Sequence, residues 1–173
     1  MVIIPGILQT ADYATALSQG WRLLHSESWG QRAANERRER QQLVTRDTDP
    51  LRVHALIDEA ALRHVIGSPE VMAGQLDHLL AMMALPNVMV QVIPFSFGAH
   101  GAMAGATILF SFPQDDEPDT AYVESMIGLQ TVGRVGDVAA LSAVWDEVAA
   151  TAPSADRSAE LIRAARKSIK EHE

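Results

Sequence analysis

Cysteine is absent from all 173 residues, which excludes disulfides and thiolate chemistry and suits a reducing compartment. Aromatics are scarce at 5%, so a core has to be built mainly from aliphatic side chains. No apolar run approaches the ~18 residues of a membrane span, and the first residues lack the basic-then-apolar pattern of a secretory signal. A cytoplasmic location without membrane attachment is therefore expected. Also missing are a Gly-x-Gly-x-x-Gly turn after a strand, a phosphate loop ending in Gly-Lys-Ser/Thr, a Gly-x-Ser-x-Gly elbow and a His-Glu-x-x-His helix. The histidines, at 25, 54, 64, 78, 100 and 172, show no metal-ligand spacing. Neither a cofactor nor a metal is expected. Basic charge is short, with 14 Lys and Arg against 22 Asp and Glu, a net charge of -8. The first fifty residues balance at six of each sign, so the remainder carries the whole deficit. Such a surface repels phosphate backbones, and no direct nucleic-acid binding by this chain is expected.

What is present reads as one α+β domain over residues 1–173, a small mixed β-sheet packed with helices beside an N-terminal helical layer. That layer occupies 1–46 and the α+β core 51–173. Thr10 can cap a helix running to about Leu24, with Asp12 in its first turn. A second helix spans about Trp29 to Val44 and stops at Asp47-Thr48-Asp49-Pro50. Along it Arg32, Glu36 and Arg40 lie four apart and can pair on one face. Arg37-Arg38-Glu39-Arg40 is the one local basic stretch, read as a solvated or partner-facing helix or as a phosphate-binding patch. Trp21, Trp29 and Leu23-Leu24 give the layer apolar bulk for anchoring it or for a symmetric homodimer contact.

Arg52 to Ile57 reads as a strand followed by a short helical turn, and Ser68-Pro69-Glu70 as a helix start. Val71, Met72, Leu76, Leu79, Leu80 and Met83 then make one apolar face. Val88 to Ile93 is apolar on both sides, the pattern of a strand buried on both faces. Further strands are expected at Ala106 to Phe112 and Thr120 to Met126, joined by an acidic turn, and closing helices at Val135 to Ala150 and Ala155 to Glu171.

Polar residues that interrupt apolar strands and loops are the candidates for chemistry. Gln91 sits among buried types, and an unpartnered buried amide costs about 1–3 kcal/mol, so it needs a partner: a loop backbone or a ligand. Tyr122 and Glu124 share a strand face. Turned inward, Glu124 is a buried carboxylate fit for binding or acid/base work; turned outward, it is a surface partner for a neighbouring charge. His100 lies in a Gly-rich loop after Ser96, either as an exposed residue or as the titratable group of a lid. Asp58 is read as a helix cap and Glu59 as a candidate ligand contact. A pocket is expected between the Gln91 strand and the Tyr122–Glu124 strand, roofed by residues 96–105. Its ligand-binding set is Gln91, Ser96, His100, Tyr122, Glu124 and Glu59, with Glu124, Tyr122 and His100 as catalytic candidates.

The chain opens on Ile4-Pro5-Gly6-Ile7-Leu8-Gln9-Thr10-Ala11-Asp12-Tyr13-Ala14. It continues through Glu36-Arg37-Arg38-Glu39-Arg40-Gln41, Leu56 to Arg63, Gln75-Leu76-Asp77-His78-Leu79, Pro86-Asn87-Val88, Val92-Ile93-Pro94-Phe95 and Tyr122-Val123-Glu124. In this order the blocks resemble a family of effector-like domains of unknown function that come after a helix-turn-helix in actinobacterial XRE-type regulators. The resemblance implies a receiver that converts binding of a small molecule or partner protein into a change of DNA affinity in transcription regulation. No helix-turn-helix precedes the opening phrase, so either the effector half of such a regulator or a free-standing relative is expected. The alternative is a cofactor-independent cyclase or isomerase of specialised metabolism built on the same fold. The stretch Gly98 to Gly105 is longer and richer in Gly and Ala than the resemblance implies.

Overall fold

Thr10 ends the opening phrase and begins the first helix: its hydroxyl accepts the Tyr13 N–H at 3.2 Å, and its carbonyl takes the Ala14 N–H. The computed structural model describes residues 2–20, 27–112, 118–125 and 128–170, with the backbone alone at 27–34 and 170. Trp21, Leu23, Leu24, the Trp29 and Arg32 side chains, the acidic turn at 114–117 and Met126 lie outside the described residues.

Helices α1 (Ala11–Gly20), α2 (Glu27–Thr45), α3 (Ala60–Arg63), α4 (Pro69–Met82), α5 (Val135–Thr151) and α6 (Ala155–Lys170) accompany strands β1 (Val53–Asp58), β2 (Val88–Ile93), β3 (Ala106–Phe110), β4 (Thr120–Ser125) and β5 (Gly128–Val132). The class is α+β, as expected. The strands, however, do not share one mixed sheet. β1 and β2 pair in parallel, with Val53 opposite Val88 and Asp58 opposite Ile93, while β3, β4 and β5 form a separate antiparallel sheet. Parallel strands need a long crossover, and α3 and α4 supply it. β5 was not foreseen; with only Leu129 and Val132 as large apolar side chains it has a weak strand pattern, and a hairpin at Gly128 (φ 126°) creates it.

Two compact units result. The first comprises residues 2–95 and 153–173, the second 96–152. In the first, β1, β2 and α4 bury Ile57, Val90, Val92, Met72, Leu76 and Leu79 together with Ile4, Leu8, Tyr13, Ile162 and Ala165. Ser68 caps α4 by accepting the Val71 N–H, with Pro69 at the first helical position. Gly67 turns the chain into this cap at φ 76°, where an added Cβ would stand 2.8 Å from that of Ala16. β2 is not buried on both sides throughout, since Met89 is 48% exposed. Its free edge is closed without a third strand: the Val92 N–H donates to the Ser158 hydroxyl at 2.8 Å, and Ser158 is fully buried.

In the second unit α5 packs on β3 and β4. Strand alternation divides the sheet, with Leu109, Ala121, Val123 and Val132 on one face and Ile108, Phe110, Tyr122, Glu124 and Leu129 on the other. Ala121 is fully buried, which identifies its face as the one beneath α5.

Candidate functional site

Gln91 and Glu59 belong to the first unit; Ser96, His100, Tyr122 and Glu124 belong to the second. Gln91 has the loop-backbone partner anticipated for it. Its Nε2 donates to the Pro153 carbonyl at 3.0 Å and its Oε1 faces His54 Nε2 at 2.7 Å, so both ends of a buried amide are satisfied. Glu59 is equally engaged. Its Oε1 accepts from Arg63 Nε and Nη2, and its Oε2 takes the Phe95 N–H at 3.1 Å. Burial alone would raise the Glu59 pKa, but the hydrogen bonds from Arg63 and Phe95 and the Arg63 charge outweigh it and hold the carboxyl below its ordinary value. Asp58 does what the local pattern suggests: its Oδ1 accepts the Ala60 N–H at 2.7 Å and starts α3.

Glu124 is exposed, so the reading that turned it inward does not hold. Tyr122 is half-buried and meets Phe110 edge to face, centroids 5.7 Å apart. Around this pair the sheet face is apolar and open: Ile108, Phe110 and Leu129 are 39%, 42% and 56% exposed. Thr120, Thr131 and Glu124 supply its polar positions.

The loop from Ser96 to Gly105 is less free than a glycine-rich lid. It folds into two short 3-10 turns, Phe95–Phe97 and Gly101–Ala104. A Cβ added at Gly101 would stand 2.6 Å from Val144 Cγ1, so this glycine permits close packing on α5 instead of motion. Ser96 is exposed. His100 is half-buried, its ring set edge-on to Phe97 at 5.5 Å, and its Nδ1 is sealed from solvent without a partner among the described residues.

The opening phrase forms a second polar centre, one that sequence spacing does not reveal. Residues Gly6–Leu8 make a 3-10 turn. Gln75, fully buried on α4, clamps the passage from this turn into α1: its Oε1 accepts the Thr10 N–H at 2.7 Å and its Nε2 donates to the Leu8 carbonyl at 2.8 Å. Gln41 on α2 donates to the Gln9 carbonyl at 2.5 Å, and the Gln9 side chain donates back to the Ile4 carbonyl at 2.6 Å. The Tyr13 hydroxyl accepts the Ile4 N–H, and burial raises its pKa although that bond acts the other way. A recess of about 40 Å³ remains beside α1, lined by Gln9, Ala11, Arg37, Arg38 and Gln41. The signal available in sequence was an apolar phrase carrying a glutamine and a tyrosine whose polar ends both need partners.

Among the described residues no group of three or more His, Asp or Glu side chains is arranged to hold a metal ion, and no helix is long and apolar enough to cross a membrane. The family model of a domain of unknown function, DUF5753, matches residues 1–164, and the chain belongs to that family. No curated protein and no solved structure matches it.

Proposed function

We propose, from the premise of DUF5753 membership, that the chain is a binding module: an effector-like domain that receives a partner protein or small molecule. The observation that carries this reading is the open face of the antiparallel sheet. An aromatic pair, Phe110 and Tyr122, is flanked there by Ile108 and Leu129 on rigid strands, and exposed apolar clusters of this kind mark interaction surfaces. Tyr122 and Glu124 thus keep a place in the site, as parts of a docking face with Glu124 as a polar anchor. The cyclase or isomerase alternative has less to rest on. Of the carboxylates available for proton transfer, Glu124 is exposed and Glu59 is committed to Arg63 and Phe95.

The kinship with XRE-type regulators is part of the same proposal, as are a cytoplasmic setting and a symmetric dimer through the α1–α2 layer. In that role the acidic chain needs a separate DNA-binding domain, since its net charge of -8 opposes phosphate backbones. A fragment library screened by two-dimensional NMR tests the binding face. Shifts should cluster on Ile108, Phe110, Tyr122 and Leu129 and vanish in Phe110→Ser. Shifts confined to other regions, or chemical conversion of a bound fragment, would refute the reading. Light scattering of Trp21→Ala and Trp29→Ala tests the dimer: a parent chain that is already monomeric at micromolar concentration rules it out.

A further inference from the structure

The segment that carries the open sheet face is the acidic part of the chain. Residues 96–152 hold eight Asp and Glu and a single Lys or Arg, Arg134, whereas the rest of the chain holds 14 acids and 13 Lys and Arg. Nearly all of the net charge of -8 therefore belongs to the unit that exposes its aromatics. Arg134 is already committed, its Nε 3.7 Å from Asp137 in the first turn of α5. The acids nearest the face have no other Lys or Arg in their own unit. Glu124 lies on the face itself, paired across strands with Leu129, and makes no ion pair with another described residue. Asp119 stands just before β4, its carboxylate held by the Ser111 hydroxyl at 3.2 Å and the Phe112 N–H at 3.3 Å, which fixes its charge without neutralising it. Asp115, Asp116 and Glu117 precede it in the sequence.

The apolar part of the face asks for a second layer. A sheet with apolar side chains on both sides is stabilised by a cover on each. α5 covers the side of Leu109, Ala121 and Val123, while Ile108, Phe110 and Leu129 on the other are exposed, and Phe112 continues that exposure beyond β3. Three strands about 4.8 Å apart present a strip about 10 Å wide, the width of one α-helix. A second copy of this chain is a poor occupant, because a symmetric contact would set one acidic face on another. Cations are favoured twice over, since the faces of aromatic rings such as Phe110 and Tyr122 also attract ammonium and guanidinium groups.

We propose that the open face binds a cationic amphipathic helix of a partner protein. The apolar stripe of that helix lies on Ile108, Phe110, Tyr122 and Leu129, and its Lys or Arg side chains reach Glu124 at one end of β4 and Asp119 at the other. This rests on the binding-module reading above and names the chemistry of the partner. From Asp119 to Glu124 the chain rises about 17 Å. A helix aligned with the strands therefore places its two anchoring cations about eleven residues apart, roughly three turns.

Two-dimensional NMR titration of the full chain tests it with three synthetic peptides of about fifteen residues, roughly four helical turns. One is an amphipathic helix of leucine and lysine, the second its leucine and glutamate counterpart, and the third a scrambled leucine and lysine peptide without an apolar face. The first should shift Ile108, Phe110, Tyr122 and Leu129 and bind at least about tenfold more tightly than either of the others. Glu124→Gln, at an exposed position, should weaken it about threefold or more with an unchanged melting temperature. Asp146 and Glu147 are exposed on α5, which packs on the other side of the sheet, so Asp146→Asn with Glu147→Gln should alter binding by less than about twofold. Equal losses in the two variants would reveal a general attraction to an acidic protein and overturn the proposal. Equal binding of the glutamate or the scrambled peptide, or shifts confined to other regions, overturns it as well. If uncharged fragments still shift this face while the lysine helix fails, the cationic partner is refuted and the binding module stands; a face that takes neither refutes both.

Discussion

In the first unit the buried side chains of Gln75, Gln91 and Ser158 make hydrogen bonds to distant parts of the chain, whereas the fully buried side chains described in the second unit are all apolar and its sheet aromatics Phe110 and Tyr122 stay partly in solvent. Gln9, Gln75, Gln91 and Ser158 all lie in the first unit, as does the large apolar cluster from Ile4 to Ala165. The buried apolar residues described in the second are Ala121, Val138 and Val148. On the proposed binding-module reading, stability and recognition are thus separated along the chain. A core that seals amides and hydroxyls needs each one partnered and tolerates little change. A sheet with one face open loses little when its exposed side chains are altered, and that face is free to meet a partner.

The contrast breaks most sharply at Gln75. Gln75→Leu strands the Thr10 N–H and the Leu8 carbonyl in an apolar surrounding, and at roughly 1–3 kcal/mol for each orphaned group the loss should be about 2–4 kcal/mol by urea unfolding. A variant as stable as the parent would mean that the opening phrase is not held as described.

Gln91→Leu is the next largest. It removes the bonds to Pro153 and His54 and should cost about 1–2 kcal/mol. Hydrogen exchange should quicken first around Pro153; unaltered exchange there would show that the chain is anchored by other means.

A smaller effect concerns pH. Because the Glu59 carboxyl lies below its ordinary value in the folded chain, its contribution is complete above the unfolded pKa and fades as pH falls through the folded one, between about pH 5 and pH 3. Arg63 is 41% exposed on its side chain, so screening limits the gain to about 1 kcal/mol or less. Glu59→Gln should flatten this acid limb in denaturant midpoints. A separate decline beginning near pH 6.5 should remain, because burial lowers the His78 pKa and an unfolded histidine protonates first. An unchanged limb below pH 5 in Glu59→Gln removes Glu59 from the account.

The smallest expected loss of stability belongs to the open face. Phe110→Ser and Leu129→Ser should each shift unfolding by about 0.5 kcal/mol or less, because about half of each residue already lies in solvent, at 42% and 56%. A loss of 2 kcal/mol in either would show that the face is part of a core and not a docking surface.

These contrasts explain what could be read from sequence. Helix starts at Thr10 and Ser68 were legible because caps are local, and β2 because a run of apolar residues bounded by Pro86-Asn87 and Pro94 permits few alternatives. The division into two sheets was not, since strand pairing joins residues far apart and Val88 to Ile93 carries no mark of its partner. Gln91 was singled out correctly as needing a partner, but only the fold shows that His54 and Pro153 serve. The recess is invisible in sequence because Gln9 and Arg37 are brought together by the packing of two helices and by no spacing in the chain.

Glu59 holds Phe95 at the point where the chain leaves the first unit, and Gln91 holds Pro153 where it returns. In evolutionary terms these two clasps define an insertion point. The segment between them can lengthen, shorten or be exchanged while the host keeps its own core and its own hydrogen bonds. On the binding-module reading, specificity can therefore change by replacement of a cassette of 57 residues, 96–152, while the first unit keeps its own apolar core.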